Sequence, residues 1–448
     1  MTGTDNSNKI GRREALARIG AAVAGVAVTP FLSKFAWADG PDAARKPNIV
    51  LIVADDMGYG DLGCYGAKDL STPNLDKLAA QGVKFTQFYC AAPVCAPMRV
   101  SFLTGKYPQR TSLPSNPSSK NPEAGLSPDE FTIAEAMKTA GYTTGIIGKW
   151  HMGYAPKFWP SKQGFDENFG PLSGWADYID HTYEKTQNWM YRGDKPDDPP
   201  GYLTDVLTKE ALSYIQRHKN DQFFLYLPFT APHGPHVAPD GTRRETRKVY
   251  KEIVENYDTN IGKILEALRA SGLEDNTVVI FLSDNGSDMM SEPEVGSNGG
   301  LRGGKRTVFE GGIRTPFFAK WPGHITPGTV VNEPIMSMDI YRTLTNIAGV
   351  TLPATAAIDS VDILDVMQGK GKRPREYMFW NFGGQYAART GKWKIIEQGG
   401  RVVGLYDIEA DPAEKIDLSA QQSKVVEDLS IKLAQWKREV GKGKRING

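Results

Sequence analysis

The chain has 448 residues, 40% of them apolar and 23% charged, with 53 Lys and Arg against 52 Asp and Glu. The length exceeds what one hydrophobic core usually holds, so a large domain with a smaller companion is expected. The composition is that of an ordinary globular protein, and the balanced charge implies no basic face for nucleic acid.

The N-terminal stretch NKIGRREALARIGAAVAGVAV starts charged, with Arg12 beside Arg13, and runs into a short Ala/Gly-rich apolar segment from Ile19 to Val28. Ala36-Trp37-Ala38 then offers a small-x-small cleavage site. An ordinary amphipathic helix is the alternative. The three-part anatomy instead predicts a twin-arginine-type export signal over residues 1–38, and hence a periplasmic or extracellular protein. The apolar segment is too short to span a bilayer, and no later run is long enough for a membrane helix. The cysteines are Cys64, Cys90 and Cys95. An odd count in an exported chain leaves no complete disulfide framework and marks one thiol for another use.

From residue 46 the chain alternates strand-like and helix-like segments. NIVLIVA (48–54) leads to TPNLDKLAAQG, and TTGIIG (143–148) follows the helical pattern FTIAEAMKTAG. QFFLYLPF (222–229) follows LTDVLTKEALSYIQRH, and TVVIFLS (277–283) follows VYKEIVENYDTNIGKILEALRASG. Apolar runs without alternation suit strands covered on both faces, and their alternation with helices argues for an α/β fold around a doubly wound, mostly parallel sheet. TPFFAKWP adds a strand and IMSMDIYRTLTNIAG a helix. After about residue 355 the texture changes to short strands in REYMFWNF, QYAARTGKWKIIEQG and VVGLYDIE, closed by the amphipathic helix SKVVEDLSIKLAQWKREVGK. The expected organisation is a catalytic domain over 46–355 and a smaller α+β subdomain over 356–448. The stretches 111–128 and 286–304 read as long loops, which in compact domains are often functional.

Each of four apolar strands ends in polar groups. NIVLIVA ends in Asp55-Asp56, TTGIIG in Lys149-Trp150-His151, FFLYLPFTAP in His233, and TVVIFLS in Asp284-Asn285-Gly286. Taken singly these have bland alternatives: an aspartate as helix cap, Asp-Asn-Gly as a turn, the histidines as core residues, Lys149 as a solvated lysine. Taken together, at the carboxyl ends of buried strands, they point to one shared site. Asp55, Asp56, Asp284 and Asn285 are hard oxygen donors suited to Ca2+ or Mg2+, and no Cys/His spacing fits zinc. Lys149, Lys305 and Arg99 are cations for an anionic substrate, while His151 and His233 can move protons near neutral pH. A divalent metal, several cations and two histidines suit ester hydrolysis at a phosphoryl- or sulfuryl-like centre.

These residues lie in motifs of a known family. Cys95-Ala96-Pro97-Met98-Arg99 with Leu103-Thr104-Gly105, together with ADDMGYGDLGCYG, GKWHMG, APH, SDNG, LRGGKRTVFEGGIRTP, ARTGKWKII and LYDIEADPAEKIDLS, resembles type I sulfatases of the alkaline-phosphatase-like superfamily across nearly the whole chain after the leader. The resemblance implies a large mixed, mostly parallel sheet between helices, with a C-terminal subdomain containing an antiparallel sheet. It implies that a formylglycine-generating enzyme oxidises Cys95 to Cα-formylglycine, whose hydrate attacks sulfur through one hydroxyl. Carried over by motif, Asp55, Asp56, Asp284, Asn285 and the modified residue 95 would bind Ca2+, or Mg2+. Arg99 would stabilise the hydrate, Lys149 and Lys305 would hold the sulfate, His151 would be the base for elimination, and His233 would protonate the leaving oxygen. Met98 is the departure, because the commonest form of the motif has Ser between Pro and Arg. Cys64 matches a position often filled by Cys and reads as structural; Cys90 reads as a small buried hydrophobe.

The expected activity is therefore an exported sulfuric ester hydrolase acting on a small-molecule or oligosaccharide sulfate ester. A phosphate or phosphonate monoester hydrolase on the same scaffold is the nearest alternative. A cysteine-nucleophile phosphatase is disfavoured, because Arg99 stands only four residues beyond Cys95. A non-catalytic carbohydrate-binding protein should have lost a metal or proton-transfer residue, and none is lost. Sugar contacts are expected from Trp175, Asp177, His181 and Trp189 on the 173–189 loop, and from His236 beside His233.

Overall fold

A computed structural model describes residues 46–442, except Thr186, 292–294, Thr355, 357–358 and Arg373. The export signal expected over 1–38 lies outside the described residues. A mixed sheet of ten strands runs edge to edge through Thr329–Val331, Val83–Phe85, Phe317–Lys320, Thr277–Ser283, Asn48–Ala54, Phe223–Pro228, Thr143–Ile147, Glu167–Pro171, Met190–Arg192 and Lys195–Pro196. Its centre is parallel and comprises β1 (Asn48–Ala54), β2 (Thr143–Ile147), β3 (Phe223–Pro228) and β4 (Thr277–Ser283). β1 lies between β3, with Ile49 opposite Phe224, and β4, with Ala54 opposite Ser283. β2 adds to the far side of β3. The antiparallel strand Phe317–Lys320 on β4 makes the sheet mixed, as expected.

Every residue of β1, β3 and β4 is buried. Successive side chains enter two different cores. Ile49, Leu51 and Val53 pack with Phe102 and Ile146 on one face, and Val50, Ile52 and Ala54 pack with Leu203 and Ile261 on the other. That double covering is why these strands read as unbroken apolar runs. The strand Glu167–Pro171 was not legible, because ENFGP has no β-branched residue and Gly170 takes a φ of 135°. It exists by pairing with β2.

Two helices bear on the site. α1 (Cys95–Thr104) starts after the extended Val94 and stops at Gly105, a left-handed residue whose N–H donates to Ser101 O at 2.8 Å. All ten of its residues are buried, so it has no solvent face. The Ala96 N–H, an otherwise orphan donor of the first turn, reaches Asn116 Oδ1 at 3.0 Å on the 111–128 loop. Met98 points into the core with Ile49 and Phe102. α2 (Arg247–Ala270) is a long amphipathic helix that buries Val249, Ile253, Tyr257, Ile261, Ile264 and Leu268 against the sheet.

The C-terminal strands Met378–Phe382, Gln385–Thr390, Trp393–Gln398 and Arg401–Asp407 form a separate antiparallel sheet in sequence order. The closing helix Ser423–Lys442 lays Leu429, Leu433 and Trp436 on it. Its core continues into Tyr89, Ile313 and Met338 of the preceding region. Across that junction Lys394 lies 2.9 Å from Glu310 and 2.9 Å from Glu414, with all three side chains fully buried. Tyr89 also donates to Glu310, at 2.6 Å. Burial opposes ionisation of Glu310, but Lys394, Arg314 and Arg389 bring it down to about 2. Among the described residues no helix is long and apolar enough to cross a membrane.

Candidate active site

The register of the central strands assembles the site. Asp55 follows β1, and its N–H donates to Ala231 O at 3.0 Å, beyond the end of β3. Asp284 follows β4 and donates to Ala54 O at 3.1 Å, while Lys149, just past β2, donates to Pro228 O at 2.7 Å. Asp56 and His151 take positive φ values of 64° and 59°. Left-handed backbone at such residues costs about 1–3 kcal/mol and is kept where surrounding structure imposes it. Lys305 arrives from a fifth direction, its N–H on Ser287 O at 3.0 Å. Cys95 is the first residue of α1, pointing its thiol at this meeting place.

The side chains form one charged cluster. Cys95 Sγ lies 3.5 Å from Asp55 Oδ1. Lys149 Nζ is 2.6 Å from Asp55 Oδ2, and Lys305 Nζ is 2.6 Å from Asp56 Oδ2. Arg99 donates through Nε and Nη2 to Asp284 Oδ2 at 3.0 and 2.7 Å. His233 Nε2 stands 3.1 Å from Lys305 Nζ and 3.5 Å from Asp56 Oδ2. One ligand atom each of Asp55, Asp56, Cys95 and His233 lies within 4.8 Å of the others. Asn285 donates to Asp56 Oδ1 at 2.7 Å, while its own Oδ1 is buried without a hydrogen-bond partner. A buried orphan amide oxygen beside three carboxylates fits the oxygen-donor chemistry of a hard divalent cation. Cys95, His151, His233 and Lys305 open into a cleft of about 500 Å³.

Residues 47–350 match the Sulfatase family model. The chain belongs to the sulfatase family. It is a type I sulfatase of the alkaline-phosphatase-like superfamily. Residues 303–439 also match the model for the C-terminal region of N-sulphoglucosamine sulphohydrolase. The sulfatase is 36% identical to human N-acetylgalactosamine-6-sulfatase, covering 87% of this chain and 84% of that protein. It is 35% identical to human arylsulfatase A, over 88% and 83%. The crystal structure of Ps i-CgsB in complex with k-i-k-neocarrahexaose matches with a TM-score of 0.81 at 32% identity, over 88% of this chain and 93% of that one.

In this sulfatase the two histidines are driven apart. Burial, with Lys149 and Arg99 nearby, holds His151 well below the usual histidine range. Burial and Lys305 act the same way on His233, yet Asp56 and Asp55 raise it to about 9. One imidazole is thus neutral and the other protonated at pH 7, the arrangement needed for a base and an acid. Burial opposes ionisation of the Cys95 thiol, but Lys149 and Lys305 lower it to about 6. The same field favours any anion formed at residue 95. Burial and repulsion from Asp55 raise Asp284 to about 6, a strain that a cation relieves.

Several sequence expectations sort differently. His236 does not face the cluster; it is buried, with its ring nitrogens on Glu245 and on Pro232 O, and it lines a neighbouring cavity. His181 is likewise buried, held by Asp198 at 2.5 Å and Gly201 O at 2.9 Å. Asp177 pairs with Arg243, and Trp189 packs edge-on against Tyr154. Of the four candidate sugar contacts on the 173–189 loop, Trp175 is the one that lines the cleft. Sequence reasoning missed Asn116, Asp288, Arg306 and Phe382, which also line it. Asn116 and Asp288 lie on the long loops flagged from sequence; Phe382, at the tip of the C-terminal sheet, carried no signal. Cys90 is fully buried, its sulfur 3.2 Å from Thr315 Oγ1.

Gly286 offers a test of how tightly the rim is built. A Cβ there would sit 1.7 Å from Gly311 O, which is backbone and cannot swing aside. Gly286→Ala is expected to cost about 1–3 kcal/mol of stability and to lower sulfatase turnover, checked by thermal unfolding and by initial rates.

Proposed function

We propose that this sulfatase hydrolyses sulfate esters of carbohydrates, using residue 95 as Cα-formylglycine and a divalent cation, Ca2+ or Mg2+. The observation that carries the reading is the position of Cys95. It stands at the start of a buried helix, opening with His151, His233 and Lys305 into one cleft, beside the buried cluster of Lys149, Asp55, Asp56, Asp284 and Asn285. The relatives named above support the carbohydrate class, since one is an N-acetylgalactosamine-6-sulfatase and one was solved with a neocarrahexaose. The N-terminal sequence supports export to the periplasm or beyond, with modification by a formylglycine-generating enzyme during maturation.

Formylglycine as its hydrate supplies an oxygen nucleophile, and the cation supplies Lewis acidity toward it and the sulfate. Asp55, Asp56, Asp284 and Asn285 would hold the cation. Lys149 and Lys305 bind the sulfate oxygens and offset their charge as the ester bond lengthens. Arg99, anchored on Asp284, steadies residue 95 from behind. His233, protonated, gives its proton to the leaving sugar oxygen. His151, neutral, takes a proton from residue 95 so that sulfate can leave and the aldehyde is restored.

The direct test is a panel of sulfated sugars, aryl sulfates and phosphate monoesters, assayed with and without chelator. Sulfate esters should be turned over in preference to phosphates, chelation should remove most of the rate, and Ca2+ should restore it. A clear preference for phosphate monoesters would overturn the reading.

A further inference from the structure

A second cavity of about 740 Å³ lies beside the catalytic cleft, and Trp175 lines both. The two are also joined along one short segment, because His233 lines the first and Pro235 the second. His233 is the residue proposed to protonate the leaving oxygen, and it stands two residues from Pro235 at the wall of the second cavity. The volume is within the range of ligand sites and large enough for a sugar unit. Trp175 is half-buried, and the Tyr183 ring packs on it at 5.1 Å, which leaves a braced aromatic wall between the two spaces.

The charges around this cavity are not equally committed. Asp177 is paired with Arg243. Asp180 lies 3.7 Å from the same guanidinium, and Glu245 is engaged with His236. Lys185 and Arg244 line the same space and make no ion pair among the described residues. The uncommitted charges are therefore both positive.

We infer that this second cavity is a leaving-group subsite for an anionic sugar unit, read by Lys185 and Arg244 beside the Trp175 wall. The substrate is then an oligosaccharide with a second negative group, sulfate or carboxylate, on the unit next to the sulfate that is cleaved. This rests on the carbohydrate sulfatase reading above. Guanidinium and ammonium groups both accept either anion, with arginine favouring planar two-point contact.

The test compares sulfated disaccharides whose second unit is neutral, sulfated or carboxylated, using the intact protein and the double variant Lys185→Ala/Arg244→Ala. Both residues are exposed, so the variant should fold. The intact protein is expected to show a KM roughly tenfold lower for the anionic disaccharides, and the variant to lose that preference with kcat little changed. An aryl sulfate, too small to reach the second cavity, should behave alike in both. Comparing the sulfated and carboxylated arms decides which anion is read. Equal KM for neutral and anionic disaccharides, or a preference that survives in the variant, would overturn the subsite. Calorimetric binding of the desulfated disaccharides repeats the comparison without turnover. Absence of all sulfate hydrolysis would then count against the catalytic reading, and the binding result alone would judge the subsite.

Discussion

Cys95→Ala is expected to lower sulfate-ester turnover by about 10⁴-fold or more, the scale seen when a catalytic nucleophile is deleted. The remaining groups would still bind sulfate, so KM should move much less. Cys95 is buried against Asp55 and faces Lys149 and Lys305, the two cations that favour an anion at this position. The unmodified protein should be nearly as slow as the variant, because a thiol, once sulfated, has no second hydroxyl on the same carbon whose proton loss could expel the sulfate. Mass spectrometry of the tryptic peptide Phe85–Arg99 from active protein should show a residue 95 lighter than cysteine that reacts with hydrazine-type reagents. A fully active protein carrying an intact thiol would sink the mechanism.

The second large effect is on stability and lies away from the cleft. Lys394→Met should cost about 3–5 kcal/mol, the range for stripping the partner from buried charges. Lys394 is the shared cation of Glu310 and Glu414, and none of the three touches solvent. The penalty has a definite pH dependence. Lys394 helps hold Glu310 at about 2, below its ordinary 4.5, so this stabilisation is complete above 4.5 and fades as pH falls through 2. The variant should therefore trail the parent most at neutral pH, and the gap should narrow on acidification, when protonated carboxyls need no counter-cation. Denaturant midpoints across that range are the measurement. Adding Glu310→Gln and Glu414→Gln to the variant should recover part of the loss at pH 7, since neutral amides need no counter-cation. A gap that is constant with pH would show that packing, not charge, is what Lys394 provides.

The site was legible where chemistry is concentrated at strand ends. Asp55, Lys149, His233 and Asp284 each follow an unbroken apolar run, and the parallel register places them together. The C-terminal hairpins and closing helix were legible for the same reason, since turn residues punctuate clear periodic segments. What escaped was whatever depends on long-range return of the chain. Glu167–Pro171 is a strand only because β2 presents an edge to it. Phe382 enters the cleft from a different sheet, and nothing local to NFGGQ announces that. His236 is set by local chain path: its neighbour His233 faces the cluster, but two residues of chain turn His236 onto Glu245 and to the wall of the second cavity.

The burial of α1 also sets a clock. Residues 95–99 lie inside the folded protein, wound into helix, with Met98 sealed among core side chains. An enzyme that oxidises Cys95 must hold this segment open and extended, which the native state forbids. If residue 95 is converted as proposed, conversion and folding would compete for the same stretch of chain, and whichever is faster would decide the outcome for each molecule. Slower folding, by lower temperature or a destabilising change elsewhere, should raise the fraction of protein that matures. On the proposed conversion Met98 would act at two separate times: first as a letter read by the modifying enzyme, later as a packing side chain that closes the door behind it.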